Sequence, residues 1–244
     1  ADEVSPGSKP TSFDKQYLRN WLLETGWDKA PPPPPLPSDV VTATAATYAE
    51  VQRRLTAGVT RIMSSALSPL PPTICWVGSL DGHLELLDQT RLPAHREVLQ
   101  IDTLDGVIDA ILRLCVRGAP AIGVAAGYGM VLGMRGLSPI DSAFVGAARD
   151  VAARLMAARP TAVNLRWAID RCVAAAIEQP SLSRLLQEAC AIHADEEAMA
   201  HSMGENGKQL VKPNMTVLTH CNTGRLATAG DGTALAVLFA AWRD

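Results

Sequence analysis

The chain is expected to be α/β: a small amino-terminal β-element plus a helical bundle, followed by the first βα unit of a parallel-sheet domain, with an extra helical tail in front. Three observations predict this. TICWV and HLELLDQ flank SLDG, whose Asp-Gly pair signals a hairpin. Residues 104 to about 210 repeat apolar side chains at helical spacing with only short interruptions. NMTVLTH, residues 214–220, reads as a buried strand and leads through a small-residue loop into GTALAVLFAAW, the strand–loop–helix order of a parallel sheet.

The elements follow in order. In SFDKQYLRNWLLETGWDKA, residues 12–30, Tyr17, Leu18, Trp21 and Leu22 share one helical face and Gly26 is the stop. PPPPPLP, residues 31–37, is a stiff extended spacer. Ser38 is placed to cap a second helix that closes at Gly58. Serine and proline from Ser64 to Pro72 mark a linker, after which come the hairpin and a third strand in REVLQI. Thr103 caps LDGVIDAILRLCV; RGAPAIGVAAGYGMVLGM, SPIDSAFVGAARDVAARLMAA, TAVNLRWAIDRCVAAAIEQ and a long segment from Ser181 supply the bundle. The expected domains are therefore 1–63, a linker over 64–72, 73–212 and 213–244.

Composition excludes several classes. A net charge of −3 over 244 residues gives no electrostatic footprint for nucleic acid or an anionic membrane. The longest apolar stretch, PAIGVAAGYGMVLGM, is too short and too glycine-broken to span a bilayer. The amino end mixes acidic and basic residues where a secretory leader needs a basic start and an apolar middle, so a cytoplasmic protein is expected. The five cysteines form no CxxC pair, which points to neither a disulfide framework nor a metal ribbon.

Chemistry concentrates at three places. THCNTGRLATAGDGTAL, residues 219–235, puts Cys221 at the mouth of a loop whose Gly224, Gly230 and Gly232 let the backbone turn its N–H groups toward an anion at a helix start. A thiol there is a candidate nucleophile or acid/base; the competing reading is a small buried filler. In RGAPAIG, residues 117–123, Arg117 precedes Gly118 and Ala119 at a helix start, so a guanidinium and backbone N–H groups converge on one phosphate. RPTAVNL repeats that logic with Arg159, and for each arginine a plain surface charge is the alternative. His220 points away from its neighbour and reads as structural. The remaining cysteines read as core residues, and His193, Asp195, Glu196 and Glu197 as a solvated helix face without metal-ligand spacing.

Taken together, LELLDQTRLP, VRGAPAIG, RPTAVNL and LTHCNTGRLATAGDGTAL resemble the methylthioribose-1-phosphate isomerases, over residues 73 to 243. That family is related to the regulatory subunits of translation initiation factor 2B, and the cysteine in THCN favours the isomerases. The resemblance implies conversion of 5-methylthioribose 1-phosphate to 5-methylthioribulose 1-phosphate in methionine salvage, without metal or organic cofactor, in a water-poor site of a homodimer. It implies that Cys221 is catalytic and that Arg117, Gly118, Ala119 and Arg159 bind substrate. It further implies a truncated Rossmann-like domain, because the family's catalytic aspartate and its later substrate-binding glutamine and Asn-Lys pair have no counterpart here; Asp231 is no substitute. About half of an active site is expected, and with it impaired turnover. Residues 9–58 resemble instead the carboxyl end of phosphoribosylaminoimidazole-succinocarboxamide synthase, a purine-pathway ligase. The competing functions are a non-catalytic sugar-phosphate or nucleotide-binding module and a fragment of that ligase.

Overall fold

The structure is a computed structural model that describes residues 16–27, 34–56, 72–137 and 141–243. It divides into two compact units, Ala1–Ser68 and Pro69–Asp244. The SFDK start of the first expected helix, most of the proline run and the Ser/Pro linker through residue 71 lie outside the described residues.

The first unit holds α1 (Gln16–Glu24) and α2 (Ser38–Thr56). Gly26, at φ +67°, ends the first helix as expected. Ser38 lies inside α2 rather than capping it, since the Pro37 carbonyl already accepts from the Val41 N–H. Thr42, Thr44 and Thr47 each return a hydroxyl bond to the carbonyl four residues back.

The second unit starts with the expected hairpin, β1 (Ile74–Val77) and β2 (His83–Leu87), extended by β3 (Val98–Ile101) into an antiparallel sheet of order β1-β2-β3. Ile74 faces Leu86, and Leu84 faces both Trp76 and Ile101. Alternation works as the pattern requires: Leu84 and Leu86 are buried while the alternate residues His83 and Glu85 are half-exposed.

Thr103 caps α3 (Leu104–Leu112) by accepting from the Gly106 N–H. α4 (Ala119–Gly133) is apolar all round, and a helix of that kind belongs inside a bundle. Residues 121–132 are all buried, packed among α3, α5 (Asp141–Ala158), α6 (Val163–Glu178) and α7 (Leu182–Gly207). Each fully buried Leu or Ile of this core, such as Ile122, Leu155 or Leu185, contributes about 1.5–3 kcal/mol by leaving water. Ser181 caps α7 through the Arg184 N–H.

The expected parallel βα unit is only half present among the described residues. α8 (Ala234–Arg243) forms and packs on α7. Residues 214–220, expected as a buried strand, carry no ladder, and Met215, Val217 and Leu218 are exposed. A strand exists only as a pairing, and no described strand lies beside this segment to accept its N–H and C=O groups. What the chain shows is thus a mostly helical α/β fold with one small antiparallel sheet.

Candidate functional site

The corner that carries Arg117 is made by the way α3 ends. Leu114 turns left-handed at φ +64° and the Cys115 N–H reaches back to the Ala110 carbonyl at 2.9 Å, so the chain swings out of the helix and toward the start of α4. Gly118 caps α4 at φ +85°, ψ +138°, and Pro120 occupies the first turn, where a missing N–H costs nothing. Glycine is demanded twice over at this point, because a Cβ here would sit 2.4 Å from the Ala227 carbonyl oxygen and 2.5 Å from its Cα. The RGA corner is pressed directly onto the thiol loop.

That loop closes on its own neck. The Thr223 carbonyl accepts from Thr233 N (2.9 Å) and Leu235 N (3.3 Å), and Gly232, at φ +102°, lies where a Cβ would meet the same oxygen at 2.5 Å. Two N–H groups at the start of α8 are therefore already satisfied by the protein, so the expected anion cradle does not include them. Cys221 adopts φ +74°, a conformation uncommon outside glycine, and its side chain is exposed. The dry turn expected around the thiol is not what the described residues form. Asp231 receives Arg225 at 3.1 Å and Arg243 at 2.9 Å and so clamps the loop to α8.

Two braces tie the loop to the β-element, and a third ties the Arg117 corner to it. The Gln89 Nε2 donates to the Leu226 carbonyl at 2.7 Å, the Gln89 N–H donates to the Cys115 carbonyl at 3.0 Å, and the Thr73 hydroxyl donates to the Thr228 carbonyl at 3.1 Å. Beside Gln89, buried Asp88 accepts from the Thr90 N–H at 2.9 Å and the Thr90 hydroxyl at 2.6 Å. Burial alone pushes the Asp88 carboxyl up, but the bonds from Thr90 and the Cys115 thiol, with the Arg113 charge, hold it below the usual carboxylate range.

Arg117 is exposed and lines a hollow of about 290 Å³ with Gln89, Pro93 and Asn222, the residue after Cys221. This hollow shares Leu92, Asn222, Leu226 and Ala227 with a larger one of about 520 Å³, which Cys221, Leu87, Leu235 and Phe239 also line. Arg117 and Cys221 thus flank two adjoining hollows. Arg159 lies elsewhere: at the α5–α6 turn it lines a separate space of about 350 Å³ with Met156 and Pro160. Gly118 and Ala119 sit beside Arg117 at the start of α4.

Other expectations change. Cys115 and Cys172 are buried as expected, but Cys190 is exposed. The helix face around residue 193 is not simply solvated: His193 Nδ1 lies 2.9 Å from the Tyr128 hydroxyl, Tyr128 stacks on Trp76 with centroids 5.3 Å apart, and Glu196 is buried. Burial holds His193 below its usual value, against the opposing charge of Glu197. No group of three or more His, Cys, Asp or Glu residues suited to a metal ion occurs among the described residues, nor does a helix long and apolar enough to cross a membrane. Gln89 and Thr73 were missed by motif reasoning, although LDQT was visible.

Several proteins are similar to this chain over about two thirds of its length. Over 169 residues the chain is 46% identical to methylthioribose-1-phosphate isomerase of Syntrophotalea carbinolica, covering 66% of this chain and 49% of the relative. Over 166 residues it is 49% identical to the Methylococcus capsulatus protein of that name, covering 67% and 47%. Among solved structures, 5-methylthioribose 1-phosphate isomerase from Pyrococcus horikoshii OT3 superposes with a TM-score of 0.60 at 34% identity, covering 70% of this chain and 49% of that one. Translation initiation factor eIF-2B subunit delta from A. fulgidus does so with a TM-score of 0.63 at 36% identity, covering 71% and 52%. The chain spans about half the length of the curated relatives it matches. The model of the initiation factor 2 subunit family matches residues 115–244, and the chain belongs to that family.

Proposed function

We propose that the second unit serves aldose–ketose isomerisation of 5-methylthioribose 1-phosphate, as its isomerase relatives' names describe. The observation that carries this reading is the pair of adjoining hollows: the Arg117 guanidinium borders one, while the Cys221 thiol and the apolar Leu87, Leu235 and Phe239, with Arg96 and Arg225 beside them, border the other. A sugar ester with an anionic end and an apolar 5-substituent fits that division. In the reaction the bond between C1 and the ring oxygen breaks, the ring oxygen gains a proton, hydrogen passes from C2 to C1, and the C2 hydroxyl loses its proton as it becomes the ketone. Arg117, with the Gly118–Ala119 backbone, holds the phosphate, and Cys221 serves as the acid/base or nucleophile at the reacting carbons. Arg159 is assigned to substrate on its motif alone.

The experiment is ketose formation from methylthioribose 1-phosphate by the full chain. Weak turnover that is lost in Cys221→Ser, with a raised KM in Arg117→Ala, is the expected pattern. Turnover unaffected by Cys221→Ser overturns the assignment. A second reading, a non-catalytic binding module, is favoured by the likeness to the eIF-2B delta subunit and by the exposure of Cys221. Sugar-phosphate binding without any turnover would select it. A homodimer and descent of residues 9–58 from a ligase tail belong to the same proposal. Sedimentation tests the dimer, and an absence of ATP-dependent ligation is expected of the tail.

A further inference from the structure

Gln89 is buried, belongs to neither candidate corner, and bonds to both. Its backbone N–H fixes the Cys115 carbonyl, two residues ahead of Arg117, and its side-chain amide fixes the Leu226 carbonyl in the 3-10 turn Arg225–Ala227 that follows Cys221. The amide orientation is forced, because a carbonyl partner accepts only from Nε2. The residue also borders the hollow shared by Arg117 and Asn222.

We propose that Gln89 is a positioning residue that sets the register of the thiol loop against the Arg117 corner, and so the distance between the guanidinium that holds the phosphate and the thiol at the adjacent reacting carbons of one bound sugar phosphate. The proposal rests on the isomerase reading for its ligand, but not for its mechanical claim. A rigid strut is needed here because the loop arrives from the far end of the sequence. The Thr73 bond and the contact between Gly118 and Ala227 hold the later part of the turn, at Thr228 and Ala227, while Gln89 holds Leu226 at its middle.

The test is alkylation of the full chain by iodoacetamide, resolved by mass spectrometry, with exposed Cys190 as the internal reference. Gln89→Glu places a carboxylate against the Leu226 carbonyl at neutral pH. The ratio of Cys221 to Cys190 alkylation should then differ from wild type at the same pH by about fivefold, the factor equivalent to one lost hydrogen bond. Protection of Cys221 by methylthioribose 1-phosphate should weaken by a similar factor. On acidification the introduced carboxyl gains a proton it can donate to Leu226 O, and both readouts should return toward wild type. Gln89→Leu should show the defect at every pH, and it carries the test if Gln89→Glu does not fold. A folded Gln89→Glu with wild-type ratio and protection throughout overturns the proposal. If the variant shifts the ratio while the sugar phosphate fails to protect even the wild type, the positioning role stands and the isomerase reading falls.

Discussion

Replacing Gly118 by alanine puts the contact between the two corners to a direct test. A Cβ there would meet the Ala227 carbonyl oxygen at 2.4 Å, its Cα at 2.5 Å and its Cβ at 2.6 Å, all far inside van der Waals contact. The backbone at φ +85°, ψ +138° adds strain for any side chain. Such strain costs about 1–3 kcal/mol and overpacking about 1–3 kcal/mol. One backbone shift relieves part of both, so a loss of about 3 kcal/mol is expected rather than the full sum. With a urea dependence of about 2 kcal/mol per molar, the midpoint falls by about 1.5 M. Gly146→Ala is the control, since nothing lies within 4 Å of a Cβ at that position in α5; it should be neutral or stabilising by up to about 1 kcal/mol. Adding Ala227→Gly to Gly118→Ala removes only the 2.6 Å contact and should recover a minor part of the loss. Urea unfolding followed by far-ultraviolet circular dichroism reads all of these. A Gly118→Ala midpoint equal to wild type would refute the reasoning.

Further outcomes follow from the charges and thiols. Asp88 is held below its ordinary value of 3.8, so its stabilisation is complete above that pH and is lost as pH falls through the lowered value. Asp88→Asn should flatten the dependence of urea midpoint on pH between about pH 4 and pH 2. His193 is also lowered, from 6.5, chiefly by burial, so the folded protein loses stability as pH drops from 6.5 through the lowered value, and His193→Gln should remove that slope in the same measurement. Asp231→Asn weakens two partly exposed ion pairs, and a loss of about 1 kcal/mol, smaller in high salt, is expected from denaturation at two ionic strengths. In native protein, Cys190 and Cys221 should alkylate readily; Cys115 is buried, and Cys172, pushed up to about 12 by burial, should react only after unfolding.

What the sequence revealed was local. The Asp-Gly hairpin, the Thr103 cap and the all-apolar α4 each depend on residues a few positions apart, so their chemistry is written in short windows. The missed elements depend on distance. Gln89 meets Leu226 across 137 positions and Thr73 meets Thr228 across 155, and no spacing rule anticipates either. TVLTH has strand composition, but its state is decided by a neighbour that the described residues do not provide. His193 was misread because α7 presents that side to Tyr128 and not to water. For Arg117 and Cys221 the motifs named residues that border adjoining hollows; for Arg159 the motif gave a helix-start arginine whose hollow is its own.

The burial of α4 bears on how this corner can be altered. Along it, Gly123 abuts Asn164 of α6, Gly127 abuts Ala189 of α7, and Gly129 abuts Leu155 of α5 and Val107 of α3, which leaves the helix journalled like an axle in four bearings. It can neither slide nor roll unless several neighbours yield together. Changes that reshape the hollows beside Arg117 and Cys221 fall therefore to the loops over residues 88–97 and 221–233, because the helix that carries Gly118 and Ala119 offers no play to adjust.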